Sequence, residues 1–167
     1  RRRILYIDID SVRPKNVPAN SDEKRAATEL CRKIMRFLRN EGWPEPLVVD
    51  SGNGYQVHYG VDLPADSGEL ISGCLRALAE KFNTESAIVD TSVFDAPRVA
   101  RLPGGMNCKG ANSSDRPFSM AKLFRPPAVF APVPVEKLDK LAGLYEPLAV
   151  TRVAAPTKVA RTKSIPW

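Results

Sequence analysis

Two aspartates one residue apart, Asp8 and Asp10, close an apolar run that begins at Ile4. In a strand, residues i and i+2 point to the same side, so both carboxylates stand together where the run emerges. Unpaired they repel, and a divalent cation relieves the repulsion; hard oxygen donors of this kind suit Mg²⁺ or Mn²⁺. A solvated pair at a strand end is the plainer alternative. Asp90 ends a second apolar stretch, Ala87 to Asp90, and so offers a third carboxylate.

A second group of chemically capable residues is Asp50-Ser51-Gly52-Asn53-Gly54-Tyr55-Gln56-Val57-His58-Tyr59. Glycines on either side of Asn53 permit a tight turn and close approach of backbone N–H groups to a ligand, and Ser51 adds a hydroxyl, so the turn could cradle phosphate. An ordinary hairpin turn is the competing reading. Beyond it, Tyr55, Val57 and Tyr59 share one strand face, while Gln56 and His58, the only histidine, share the other. Further on, Arg98, Arg101 and Lys109 flank the glycine-rich segment Leu102-Pro103-Gly104-Gly105. Cations beside a carboxylate-held metal suit a triphosphate, whose charge must be neutralised; ordinary surface salt bridges are the alternative.

These side chains need a scaffold, and the hydrophobic pattern predicts one. Ile4 to Ile9 reads as a buried strand. Asn20-Ser21-Asp22-Glu23 predicts a capped helix start, with Ala27, Leu30, Cys31, Ile34, Phe37 and Leu38 at helical spacing and an end near Gly42. Leu47 to Asp50 and Tyr55 to Val61 read as a β-hairpin. Asp66-Ser67-Gly68-Glu69 predicts a second helix start by the same capping logic, followed by a stripe from Leu70 to Phe82. Ala87 to Asp90 returns as a strand, Arg98 to Leu102 reads as extended, and Phe118 to Phe124 as a strand closing the sheet. The expected fold is α/β (α+β), with a mixed, largely antiparallel sheet like that of an RNA-recognition motif and helices flanking it. Residues 1–125 would form the core. Prolines concentrate after Phe124, so 126–167 is expected to be an irregular, basic wrap or linker with one short helix around Glu136 to Leu144.

Composition narrows the classes of function. The 167 residues suffice for one main core, and 43% hydrophobic with 26% charged residues is a globular balance. No apolar run approaches the ~20 residues that cross a bilayer. The three cysteines, Cys31, Cys74 and Cys108, are scattered without metal or disulfide spacing, which fits a reducing cytoplasm. Of the net charge of +6, Arg1 to Arg3 supply +3 and Arg152, Lys158, Arg161 and Lys163 supply +4, leaving residues 4–151 at −1. The basic excess therefore sits in the two ends, as solvated tails or as contacts to a polyanion. The chain lacks an initiator Met and a signal peptide, and reads as starting inside a longer protein.

Taken in order, Asp8-x-Asp10, the Ser51-Gly-Asn-Gly-Tyr segment with its histidine, Val89-Asp90, and Arg101-Leu-Pro-Gly with Asn107-x-Lys109 resemble the motifs of the archaeo-eukaryotic primase superfamily, especially primase-polymerases of plasmids, phages and mobile elements. The resemblance spans roughly Ile4 to Gly110. It implies a DNA primase/polymerase that joins nucleoside triphosphates on a single-stranded DNA template by two-metal chemistry, with a helicase in the same polypeptide or replisome as partner. Asp8, Asp10 and Asp90 would then hold Mg²⁺ or Mn²⁺, and Ser51, Asn53, Gln56, His58, Arg101 and Lys109 would bind nucleotide. The family histidine usually stands five residues after the serine, where this chain has Gln56, with His58 two further on; Gln56 keeps the spacing, but either could face the triphosphate. Two other readings stay open. Ile7-Asp8-Ile9-Asp10 also resembles the first motif of haloacid-dehalogenase-type phosphatases, in which Asp8 would be the nucleophile, followed by Ser51, Asp90 and Asp95. The third is a primase-like module that binds nucleic acid or nucleotide without catalysis, which Gln56 permits.

Overall fold

The computed structural model describes residues 1–124 and 126–145. Its elements are β1 (Arg2–Ser11), α1 (Ser21–Asn40), β2 (Leu47–Asp50), β3 (Tyr55–Leu63), α2 (Gly68–Phe82), β4 (Ala87–Val89), β5 (Met106–Asn107), β6 (Ser119–Met120), β7 (Lys122–Leu123) and α3 (Val135–Ala142). The main sheet has the order β4-β1-β3-β2-β7, with every neighbouring pair antiparallel. From β1 to β4 the chain therefore runs βαββαβ with the first and third strands central, a split βαβ arrangement.

Strand parity divides this sheet into two chemically different faces. Leu5, Ile7 and Ile9 of β1 and Val57, Tyr59 and Val61 of β3 are buried in the core with Leu30, Ile34 and Leu38 of α1 and Ile71, Leu75 and Leu78 of α2. Burying such side chains is worth about 1.5–3 kcal/mol each and fixes the register, because a slip of one residue would carry Asp8 into the core and Ile7 out of it. On the other face stand Tyr6 and Asp8 opposite His58 and Gln56, with Asp10 opposite Ile88.

Local chemistry sets the helix ends. Asn20 accepts from the Glu23 amide and the Glu23 carboxylate accepts from the Asn20 amide, a complete capping box at α1. The expected counterpart at α2 does not form: the Ser67 hydroxyl donates instead to Pro64 O at 2.9 Å, and α2 has no side-chain cap.

Arg98 to Leu102 joins neither sheet. Elsewhere the structure departs from the expected pattern. The expected closing strand at 118–124 splits, β6 pairing with β5 in a separate two-stranded sheet and β7 joining the edge of the main one. Of the segment after 125, the described residues 126–145 contribute Val133, Leu138 and Leu141 to the main core. Val133 donates its amide to Gly60 O at 2.8 Å, Leu138 and Leu141 of α3 are buried, and the Cys74 thiol donates to Leu138 O at 3.3 Å. The expected basic tail from Arg152 onward lies outside the described residues. Among those described, no helix is long and apolar enough to cross a membrane.

Candidate active site

β1 carries the site. Tyr6, Asp8 and Asp10 alternate with Leu5, Ile7 and Ile9, so burying the latter against the helices turns the former to the opposite sheet face, where Tyr6 is itself buried. The Asp90 amide donates to Asp8 O at 2.9 Å, continuing the β1–β4 register and placing Asp90 beside Asp8. Gln56 is opposite Asp8 on the other flank. A groove of about 520 Å³ follows, walled by Tyr6, Asp8, Gln56, Val99, Ala100, Arg101, Leu102 and Gly105. Sequence motifs far apart in the chain, Asp8, Gln56 and Arg101, thus meet in one concavity.

Electrostatics mark Asp8 out. Its carboxyl is pushed up to about 7, first by burial and then by the negative charge of Asp10, with a smaller contribution from Asp90; the Tyr6 hydroxyl and Arg98 pull the other way. Burial and the neighbouring carboxylates also push the Tyr6 phenol upward. Gln56 is only 6% exposed, and its Oε1 has no hydrogen-bond donor among the described residues. A partly buried acid under like-charge pressure beside an unsatisfied amide oxygen makes a hard-oxygen environment that fits a divalent cation.

The three carboxylates are nevertheless not gathered into one closed cluster: among the described residues no group of three or more His, Cys, Asp or Glu side chains is arranged to hold a metal. Two are held by local partners. Arg13, whose side chain is 7% exposed, approaches Asp10 Oδ1 at 3.4 Å while donating to Ser11 Oγ at 2.9 Å. Asp90 Oδ1 accepts from the Ser92 amide at 2.8 Å.

The glycine-rich turn is closed on itself. The Gly54 amide donates to Ser51 Oγ at 3.1 Å, the Gly52 amide to Asp50 Oδ1 at 2.7 Å, and the Lys24 ammonium pairs with Asp50 and donates to Gly54 O at 3.1 Å. Ser51 and Asn53 are buried, and neither walls the groove at Asp8. Asn53 Oδ1 accepts from the Ala19 amide at 2.8 Å and ties the turn to the entry of α1. Asn53→Ala would leave that buried N–H without a partner; we expect a loss of about 2 kcal/mol in urea unfolding with unchanged m-value. Lys109 is exposed, and its neighbour Gly110 packs on the Asn16 and Val17 backbone, away from the groove. Arg101 is exposed, lines the groove and donates to Met106 O at 3.3 Å.

His58 stands opposite Tyr6, ring centroids 5.1 Å apart, and faces a second groove next to the first. Sequence reasoning missed Tyr6, although i−2 parity from Asp8 predicts its direction. It also missed Arg13 and Arg2, for which the sequence carries no periodic signal.

No protein-family model matches the chain, and neither does any curated protein or solved structure.

Proposed function

We propose that this chain is a template-directed nucleotidyltransferase of the primase-polymerase kind, joining nucleoside triphosphates on single-stranded DNA in a cytoplasmic replication setting, with a helicase as working partner. The observation that carries the reading is the meeting of Asp8, under pressure from Asp10 and Asp90, with Gln56 and Arg101 around one groove on the sheet face away from the helices. Asp8, Asp10 and Asp90 would hold Mg²⁺ or Mn²⁺, Asp10 turning from Arg13 and Asp90 from the Ser92 amide to do so. The bound ions would make the attacking hydroxyl more acidic and neutralise charge on the phosphates. Arg101, at the rim, would take a phosphate oxygen through its planar fork of donors, and the Gln56 amide would contribute one neutral hydrogen bond. The Arg13 guanidinium would hold Asp10 in orientation. A phosphatase-type reading leaves Arg101 and Gln56 without a role in the groove.

Incubation with a single-stranded template, Mg²⁺ or Mn²⁺ and labelled nucleotides is the direct test. Template-dependent product from the parent, lost in the Asp8→Ala/Asp10→Ala double variant, is expected; triphosphate binding without incorporation would instead identify a non-catalytic module. Gln56→His should strengthen triphosphate binding about fivefold by calorimetry at a pH where the imidazole is protonated, since a charge-assisted bond exceeds a neutral one by roughly 1 kcal/mol. His58→Ala should change it little, because His58 faces the neighbouring groove.

A further inference from the structure

The second groove, about 290 Å³, has Arg2, Tyr6, His58, Asp95, Arg98 and Ala100 among its walls. Tyr6 and Ala100 wall both this groove and the one at Asp8, so the two adjoin in a trough along β1. From Arg2 to Asp8 this trough follows β1 for about 20 Å, at ~3.3 Å per residue.

Its charge is one-sided. Arg1 and Arg3 are both bridged to Asp62, and Arg98 holds Asp95 at 2.9 Å while donating to Ser92 O. Arg2 has no such partner. Although only 7% exposed, its Nε lacks a hydrogen-bond acceptor among the described residues, and Asp95, the carboxylate acting on it, is already engaged by Arg98. A buried guanidinium N–H without an acceptor is costly, and a phosphate oxygen supplies what it lacks. Beside it the His58 ring leans on Tyr6 with an interplanar angle of 44°. Burial lowers the His58 pKa, so the ring is neutral at pH 7 and gives a planar face rather than a further charge.

We infer that this trough is the track for single-stranded nucleic acid, with Arg2 taking a backbone phosphate, His58, backed by Tyr6, offering its outer face to a base, and the strand leading on to Asp8. Cationic grooves with aromatic walls suit single strands because every base has a stacking face and every nucleotide a charge. The inference rests on the nucleotidyl-transfer reading for the identity of the polymer, but strand binding is measurable without synthesis. A free mononucleotide offers the same phosphate chemistry, and competition separates the two.

The test is fluorescence anisotropy of a labelled 12-residue oligothymidylate in EDTA, without nucleotides. Arg2→Met, which keeps the buried stem, should weaken binding at least about tenfold and flatten the salt dependence by about 0.7 in log–log slope. Lys81→Ala, removing an equal charge from α2, should leave binding unchanged. Competition by thymidine triphosphate well below the oligonucleotide's effectiveness is expected; equal competition would assign the groove to a mononucleotide. Equal weakening by Arg2→Met and Lys81→Ala, or none by Arg2→Met, would overturn the track whatever the protein synthesises. Should Arg2→Met fail to fold, photocrosslinking of a 4-thiothymidine strand to the parent decides: crosslinks at Tyr6 or His58 support the track, and crosslinks only elsewhere overturn it. Loss of synthesis in Asp8→Ala/Asp10→Ala with strand binding intact would leave both readings standing, whereas strand binding without any synthesis by the parent would remove the nucleotidyl-transfer reading alone.

Discussion

Asp8→Asn in EDTA is expected to melt several degrees above the parent at pH 8, at nearly the parent's temperature near pH 3.5, and, under the proposed nucleotidyl-transfer function, to lose roughly a thousandfold in activity when Mg²⁺ or Mn²⁺ is supplied. The two effects have one cause. Folding raises the Asp8 carboxyl from 3.8 to about 7. Below 3.8 it is protonated in both states and costs nothing. Between 3.8 and about 7 the unfolded chain ionises while the folded protein keeps its proton, so this contribution is progressively lost as pH rises, and above about 7 the folded protein holds an unfavourable charge. The ceiling is about 4 kcal/mol at 1.36 kcal/mol per pH unit, and we expect about 2 kcal/mol because Asp8 retains contact with solvent. Asparagine removes the charge and with it the slope. Glu23 titrates with the opposite sign, since the Arg116 hydrogen bond lowers its pKa, so the comparison is made between proteins at each pH. A divalent ion added at pH 8 should raise the parent's melting temperature and not the variant's. The catalytic loss follows from removing a carboxylate worth several kcal/mol in transition-state charge stabilisation, at about 1.4 kcal/mol per decade. A parent melting curve no less stable at pH 8 than Asp8→Asn would refute the strained-carboxylate account.

The legible part of this site was what strand parity and capping chemistry determine locally. Asp8 and Asp10 share a face because they are two apart, Gln56 and His58 face away from Tyr55, Val57 and Tyr59 for the same reason, and Asn20 with Glu23 opens α1 as their spacing predicts. Contacts between distant segments carry no such signature. Arg116 reaches Glu23 and Pro18 O across more than ninety residues, and Asn107 Nδ2 donates to Ser51 O at 2.8 Å. Nothing in the spacing of Ser51-Gly-Asn-Gly distinguishes a turn open to phosphate from one whose amides are taken by Asp50 and by its own serine. Arg2 is the sharpest case. In the sequence it belongs to a basic end that solvent could cover, yet β1 begins with it and it lines one groove with residues of the 93–100 loop, Asp95 acting on its charge, so a tail residue becomes a wall of the groove.

Gly54→Ala is the other substitution with a large expected effect, because this glycine presses the hairpin turn against β1, which carries Asp8 and Asp10. Ile9 and Tyr55 are paired across β1 and β3, which brings Gly54 against the end of β1. A Cβ at Gly54 would fall well inside contact distance of Ile9 O and 3.0 Å from Asp10 Oδ1. The Ile9 carbonyl cannot retreat, since Ile9 is fixed between Tyr55 on one side and Val89 on the other. The turn must move instead, at the expense of the Ser51 amide to Gly54 O bond of 3.0 Å, the Gly54 amide to Ser51 Oγ bond and the Lys24 donation to Gly54 O. Overpacking on this scale costs about 3 kcal/mol, or roughly 6–12 °C of melting temperature in a chain of this size. Gly104→Ala gives the comparison: its φ of 88° disfavours a side chain, but no atom lies within 4 Å of the added Cβ. Only backbone strain of about 1–2 kcal/mol applies there. Thermal melts should therefore rank Gly54→Ala below Gly104→Ala, with the former also impaired in synthesis because Asp10 is displaced; the reverse order would mean that the turn does not bear on the carboxylate strand as drawn.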